Sequence, residues 1–227
     1  MSGSVGDDEA YDEAYDDPAM PVRDAGVLAM FPLGNVLFPY VGLPLRVFEP
    51  RYRRLVADCL EGNGEFGVVL IERGTEVGGG DVRFATGTIA RVMDARPLSD
   101  GTWAVTAAGV RRVVIDSWLA DDPYPLAHVT DWPDLDEADP DALARSIGRL
   151  RTLLGRSAEA GDVVAPATIA LHEDPVVALW QACAIVPVSP LDDLALLRAP
   201  SAAARIALLD ELIDDAEVVV SHRLSGA

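Results

Sequence analysis

Arginine is the only strongly basic side chain available to this protein: the chain has 18 Lys+Arg positions and every one is Arg. A P-loop needs a lysine for the phosphates, and Schiff-base and Ser-Lys catalysis both need its amine, so these three chemistries are excluded. Arginine instead offers a planar fork that matches a carboxylate. Arg51, Arg53 and Arg54, beside Glu49, suit two roles. They can clamp an acidic or C-terminal carboxylate of a ligand, or they can pair with Glu49 and brace the start of a helix. Arg145, Arg149 and Arg156 share a face of a later helix. They can meet an acidic partner, meet the chain's own acidic tail, or form a solvated face in which isolated pairs contribute at most about 1 kcal/mol.

Other reactive groups are scattered. His128, His172 and His222 are far apart, and His172-Glu173-Asp174 has no HExxH spacing, so no metal site is expected. No serine sits in a GxSxG elbow. Gly74–Gly80 is rich in glycine but lacks the GK[ST] sequel of a phosphate cradle, and reads as a hairpin end. Cys59 and Cys183 lie among apolar residues at helical spacing, as buried reduced thiols do. No catalytic residue, metal or cofactor is expected, and the chain reads as a non-enzyme.

The segment with most binding potential is Pro32–Pro50, where four prolines and two glycines punctuate large apolar residues. Proline fixes φ, so such side chains can be held on a stiff loop with little ordering cost on binding. An apolar groove beside a strand edge suits an extended, unfolded peptide, whose backbone bonds while pockets select bulky side chains. The candidate peptide contacts are Phe31, Leu33, Val36, Phe38, Tyr40, Leu43, Leu45 and Arg51, with Phe48 on the same stiff stretch. The competing role for these residues is packing the barrel and anchoring the helix of Tyr52.

The elements that must position this segment follow from composition and period. With 227 residues and 50% hydrophobic side chains, the chain can bury a core. The net charge is −19, and residues 1–20 and 121–141 carry 15 acids without a base, so the remaining body is nearly balanced. That balance argues against nucleic acid, which needs clustered positive charge. An acidic N-terminus is unlike a signal peptide, and no apolar run approaches the ~20 residues that span a bilayer. A cytoplasmic protein with no membrane partner is expected.

Residues 1–26 read as a disordered acidic tail. A helix is expected at 51–61, with Phe48, Tyr52, Leu55, Val56 and Cys59 on one face. About six short strands follow or precede it, among them separate runs at Thr102–Ala107 and Val110–Trp118, which suggests a small, mostly antiparallel barrel over residues 27–133. Gly87 marks a bulge or a close approach. After an acidic linker at 134–138, residues 139–223 take a helical period, with Asp139-Pro140, Ser189-Pro190 and Ser201 as starts. Strands first and helices afterwards is an α+β order.

Phe31-Pro32-Leu33-Gly34-Asn35-Val36-Leu37-Phe38-Pro39, then Leu43-Pro44-Leu45-Arg46-Val47-Phe48-Glu49-Pro50-Arg51-Tyr52, resembles the opening of the Lon protease N-terminal (substrate-binding) domain, most of all its standalone bacterial form. Phe66–Ile71, Gly87–Val92, Gly109–Arg112 and Ser189–Arg205 continue the pattern in order, over roughly residues 27–215. The resemblance implies a PUA-like antiparallel β pseudo-barrel with one inserted helix, followed by a C-terminal helical bundle. It also implies a non-enzymatic module that grips exposed apolar segments of unfolded or partly unfolded client proteins, as adaptor or regulator beside a protease or chaperone. In complete Lon proteases an ATPase module and a Ser-Lys protease domain follow; neither is expected here. The alternative is an uncharacterised enzyme or small-ligand protein using the cleft between barrel and bundle.

Overall fold

The computed structural model describes residues 24–74, 76 and 80–226. Most of the expected acidic tail, residues 1–23, lies outside them. Asp24–Gly26 do not belong to that tail: they open strand β1 (Asp24–Leu33), pairing with Thr130 and Val129. Composition cannot show this, because the pairing partner lies far along the chain.

The remaining elements are β2 (Gly42–Val47), α1 (Pro50–Glu61), β3 (Glu65–Arg73), β4 (Val82–Pro97), β5 (Trp103–Trp118) and β6 (Leu126–Asp131). Helices α2 (Pro140–Glu159), α3 (Pro175–Ile185), α4 (Pro190–Arg198) and α5 (Ala202–Leu224) follow. The sheet order is β2-β5-β4-β3-β1-β6, and β5 also pairs with β6, which closes a ring. Strand β2 stays outside that ring, attached along one side to β5. Among the described residues only β1 and β3 pair in parallel. This is the expected α+β arrangement, a pseudo-barrel with one inserted helix and then a helical bundle.

Two glycines shape the barrel by what they lack. A Cβ on Gly87 would stand 2.4 Å from the Val68 carbonyl oxygen, the close approach that its place in a strand suggested. A Cβ on Gly109 would stand 2.2 Å from the Phe38 carbonyl oxygen. Tyr40 donates its N–H to the Gly109 carbonyl at 2.8 Å, and Gly109 donates to Val41 at 2.9 Å. The two strand runs expected either side of Gly109 are therefore one strand, β5; the glycine admits the 38–41 loop rather than ending the ladder.

Three apolar groups fill the fold. Met30, Val69, Ile89, Val113, Ala127 and Val129 lie inside the ring. Tyr52, Leu55, Val56 and Cys59 of α1 pack on Phe31, Phe66 and Val105. The helices bury Leu150, Leu153, Leu179, Leu196 and Leu209 in a third cluster. Each bundle helix begins on a side-chain cap: Asp139, Asp174, Ser189 and Ser201 all accept first-turn N–H groups. Such a cap contributes about 1 kcal/mol.

Barrel and bundle are riveted by a buried network. Arg205 of α5 is fully buried; it bonds Asp134 at 2.8 Å and lies 3.6 Å over the Trp180 ring. Arg112 of β5 bonds the same carboxylate at 2.5 Å and the Leu197 and Ala199 carbonyls at 2.7 and 2.9 Å. Those carbonyls end α4, the negative pole of its dipole, which offsets the excess positive charge. Asp136 caps α5 by accepting from Ala202 and Ala203. Two of the linker acids thus bind into the junction instead of facing water.

Candidate functional site

The stiff Pro-rich stretch divides as it leaves β1. Phe31, at the end of β1, stacks on Tyr52 with ring centroids 4.1 Å apart and planes 17° apart. Phe38 turns the other way, 2% exposed, and meets Trp180 at 5.9 Å. The chain then reverses at Tyr40, whose φ of 61° is the one left-handed non-glycine among the described residues. Strand β2 follows with Gly42, Pro44 and Arg46 exposed and Leu43, Leu45 and Val47 turned inward. Pro44 is tolerated in mid-strand because β2 is an edge strand and its missing N–H interrupts no ladder.

Between β2, the end of β1 and the start of α1 lies a groove of about 210 Å³. Phe31, Leu33, Leu45, Phe48 and Tyr52 supply its apolar walls, and Arg46, Glu49 and Glu76 its charged rim. Glu76 accepts a bond from the Gly34 N–H across the groove. Phe48 is 53% exposed, which corrects its expected place on the buried face of α1. It precedes the N-cap, Glu49, and the fourth helical residue is Arg53, so no apolar partner exists to staple it down.

The candidate contacts therefore reach different destinations. Phe31, Leu33 and Leu45 line the groove; Arg51 stands at its helical end, its guanidinium 4.4 Å over the Tyr52 ring and 3.1 Å from Glu49. Leu43 is half-buried against the α1 cluster. Val36 packs on the bundle core, and Tyr40 lies exposed on the loop beside Gly109. Phe38 is removed from the set, because the bundle covers it. Phe48, Tyr52 and Glu76 complete the groove; the absent staple was the readable signal for Phe48.

The start of α1 is chemically unlike the other helix starts. Glu49 makes no side-chain cap bond, and the first turn holds no acid. Among the described residues four buried side-chain atoms lack a hydrogen-bond partner, and three belong to consecutive residues of this turn: Arg51 Nη2, Tyr52 Oη and Arg53 Nε. An unpaired buried polar group costs about 1–3 kcal/mol. Burial pushes Tyr52 up to about 12, so its hydroxyl keeps its proton.

Other arginines are structurally engaged. Arg53 donates to the Gly101 carbonyl at 2.8 Å, and Arg54 pairs with Asp58 at 2.9 Å. Arg149 bridges α2 to Asp210 and Asp214 of α5, and Arg156 reaches Ser221. A second cavity, about 270 Å³, lies between β1, the end of α1 and β3. Its polar groups answer one another: Tyr124 donates to Asp58 at 2.7 Å, and Arg111 bonds Asp131 at 2.8 Å and Glu65 at 3.1 Å. The junction of barrel and bundle, named as an alternative cleft, is filled by Phe38, Trp180, Arg112 and Arg205. Among the described residues no cluster of three His, Cys, Asp or Glu could hold a metal, and no helix is long and apolar enough to cross a membrane.

Residues 27–215 match the profile of the ATP-dependent protease La (LON) substrate-binding domain. The chain is 33% identical to the Lon protease of Cytophaga hutchinsonii over 128 residues, 53% of this chain and 16% of that protein. It is 25% identical to Lon protease 1 of Herpetosiphon aurantiacus over 195 residues, 82% of this chain and 24% of that protein. The chain thus spans less than a quarter of these relatives' length. A Lon N-terminal domain protein from Xanthomonas campestris has a similar structure, with a TM-score of 0.59 and 31% identity over 81% of this chain and 96% of that one. The N-terminal domain of the Mycobacterium avium complex Lon protease shares the fold, with a TM-score of 0.60 at 16% identity over 83% and 98% of the two chains.

Proposed function

This chain belongs to the LON substrate-binding domain family, and from that premise we propose that it is a non-enzymatic module that grips exposed apolar segments of unfolded client proteins. The carrying observation is the pairing of a free strand edge with an apolar groove. Among the described residues strand β2 has β5 on one side only, and beside it run Phe31, Leu33, Leu45 and the half-exposed Phe48. A client segment adds as an extended strand along β2, its backbone bonding on either side of Pro44, which has no N–H to give, and a bulky side chain entering the groove. The partner is a partly unfolded protein, and the setting is the cytoplasm. The module serves as adaptor or regulator beside a protease or chaperone.

Binding of a reduced, carboxymethylated protein, which cannot refold, tests this by fluorescence anisotropy. The full chain binds it, and Phe48→Asp weakens binding about tenfold, as loss of a central apolar anchor does. Equal binding by the variant removes the groove from the function; no binding by either chain removes the function.

A further inference from the structure

The groove reading leaves one set of groups unused: the donors at the start of α1. Arg51 Nη2 and Arg53 Nε can only donate, and Tyr52 Oη, kept protonated by burial, donates as well. Of these three residues Tyr52 lines the groove while only 3% exposed, and the Arg51 guanidinium lies 4.4 Å over its ring. The same turn presents first-turn backbone N–H groups with no side-chain cap, while the other four helices have theirs. The positive pole of the α1 dipole points the same way.

The carboxylates at the groove are already engaged: Glu76 accepts from the Gly34 N–H, and the others are paired. Arg51 pairs with Glu49 and Arg83 with Asp81, at 3.1 and 2.5 Å. What remains is an excess of N–H and O–H donors over acceptors. A main-chain carbonyl would satisfy one donor; a carboxylate, with two oxygens and about four lone-pair sites, satisfies several at once. The cavity, about 210 Å³, is of a size for one or two residues of a peptide.

We propose that the helical end of the groove, formed by the uncapped first turn of α1 with Arg51 and Tyr52, binds a carboxylate of the client peptide. The inference rests on the groove reading and adds selectivity to it: acidic or C-terminal segments are held in preference to neutral internal ones. The carboxylate comes either from the peptide's C terminus or from an Asp or Glu side chain.

Three fluorescein-labelled forms of one Leu/Phe-rich octapeptide separate these sources: free C-terminal acid, C-terminal amide, and amide with one internal Asp. The full chain binds at least one acid form about tenfold tighter than the plain amide, as a charge-assisted bond implies. A preference for the free acid identifies the chain terminus, and a preference for the Asp form identifies a side chain. In Arg51→Gln and in Tyr52→Phe the acid-to-amide ratio falls below twofold. Tyr52→Phe also raises the melting temperature, because it deletes a buried unpaired hydroxyl, so lost selectivity there is not lost folding. Equal binding of all three forms, weakened together by Phe48→Asp, overturns the carboxylate site and leaves the groove standing. Failure of every form to bind overturns both.

Discussion

Two of the molecule's assemblies of arginine, aromatic ring and carboxylate are completed to different degrees. At the junction of barrel and bundle, Arg205 lies on Trp180, Arg112 lies on Trp132, and Asp134 accepts from both guanidiniums while carbonyls of α4 take up the other donors. At the start of α1, Arg51 lies on Tyr52 and Glu49 takes one edge of its fork, but Nη2 and the Tyr52 hydroxyl are left over. Buried polar networks stabilise when every member is satisfied and cost stability when one is not. The first assembly therefore fixes architecture, and the second has capacity for an external acceptor.

The contrast is broken most forcefully at Asp134. Asp134→Asn leaves two buried arginines without their counter-charge, and breaking a buried pair this way costs about 3–5 kcal/mol. Urea unfolding measures it, and a loss below about 1 kcal/mol would mean that the α4 carbonyls alone hold the guanidiniums. Phe38→Ala opens a cavity against Trp180 and costs about 3 kcal/mol by the same measurement.

At the open assembly the sign reverses. Tyr52→Phe stabilises the free chain by about 1 kcal/mol, since the hydroxyl has no partner to lose. If it destabilises, the hydroxyl is satisfied in solution and the two assemblies are alike.

A smaller effect is tied to pH. Burial, with Asp192 beside it, pushes Asp193 up from 3.8 to about 7. The folded chain therefore holds this proton more tightly than the unfolded chain does. The contribution of this group to stability is full below about pH 4, declines as pH rises through the window to 7, and is flat above it. Asp193→Asn removes that decline, so its advantage over the parent grows between pH 4 and 7; an advantage independent of pH would refute the assignment. The smallest change belongs to Phe48→Ala, which alters stability by no more than about 0.5 kcal/mol while weakening client binding.

Phe38 and Phe48 also show how far the sequence could be read. Local rules located the helix starts, because Asp139-Pro140, Ser189-Pro190 and Ser201 signal through their immediate neighbours. The α+β order and the inserted helix were legible for the same reason. The fate of the two phenylalanines was not local. Phe38 is buried by Trp180, a residue of α3 far along the chain, whereas Phe48 is exposed because Arg53 offers it nothing to pack on. The acidic linker misled in a similar way: Asp134 looks solvated until Arg112 and Arg205 are brought to it, and Asp136 until the first turn of α5 is. Half of the candidate groove was visible in residue types; the unsatisfied first turn of α1 was visible only once the atoms were placed.

Strand β5 has a mechanical consequence. It runs unbroken from Trp103, beside β2, through Arg112, which is anchored in the bundle, to Trp118. Its hydrogen bonds to β2 stand across the strand direction. Tension on a polypeptide held lengthwise along β2 therefore loads those bonds together in shear rather than unzipping them singly. The pull then travels down β5 into the helices, so whatever tugs on a captured chain tugs on the whole molecule.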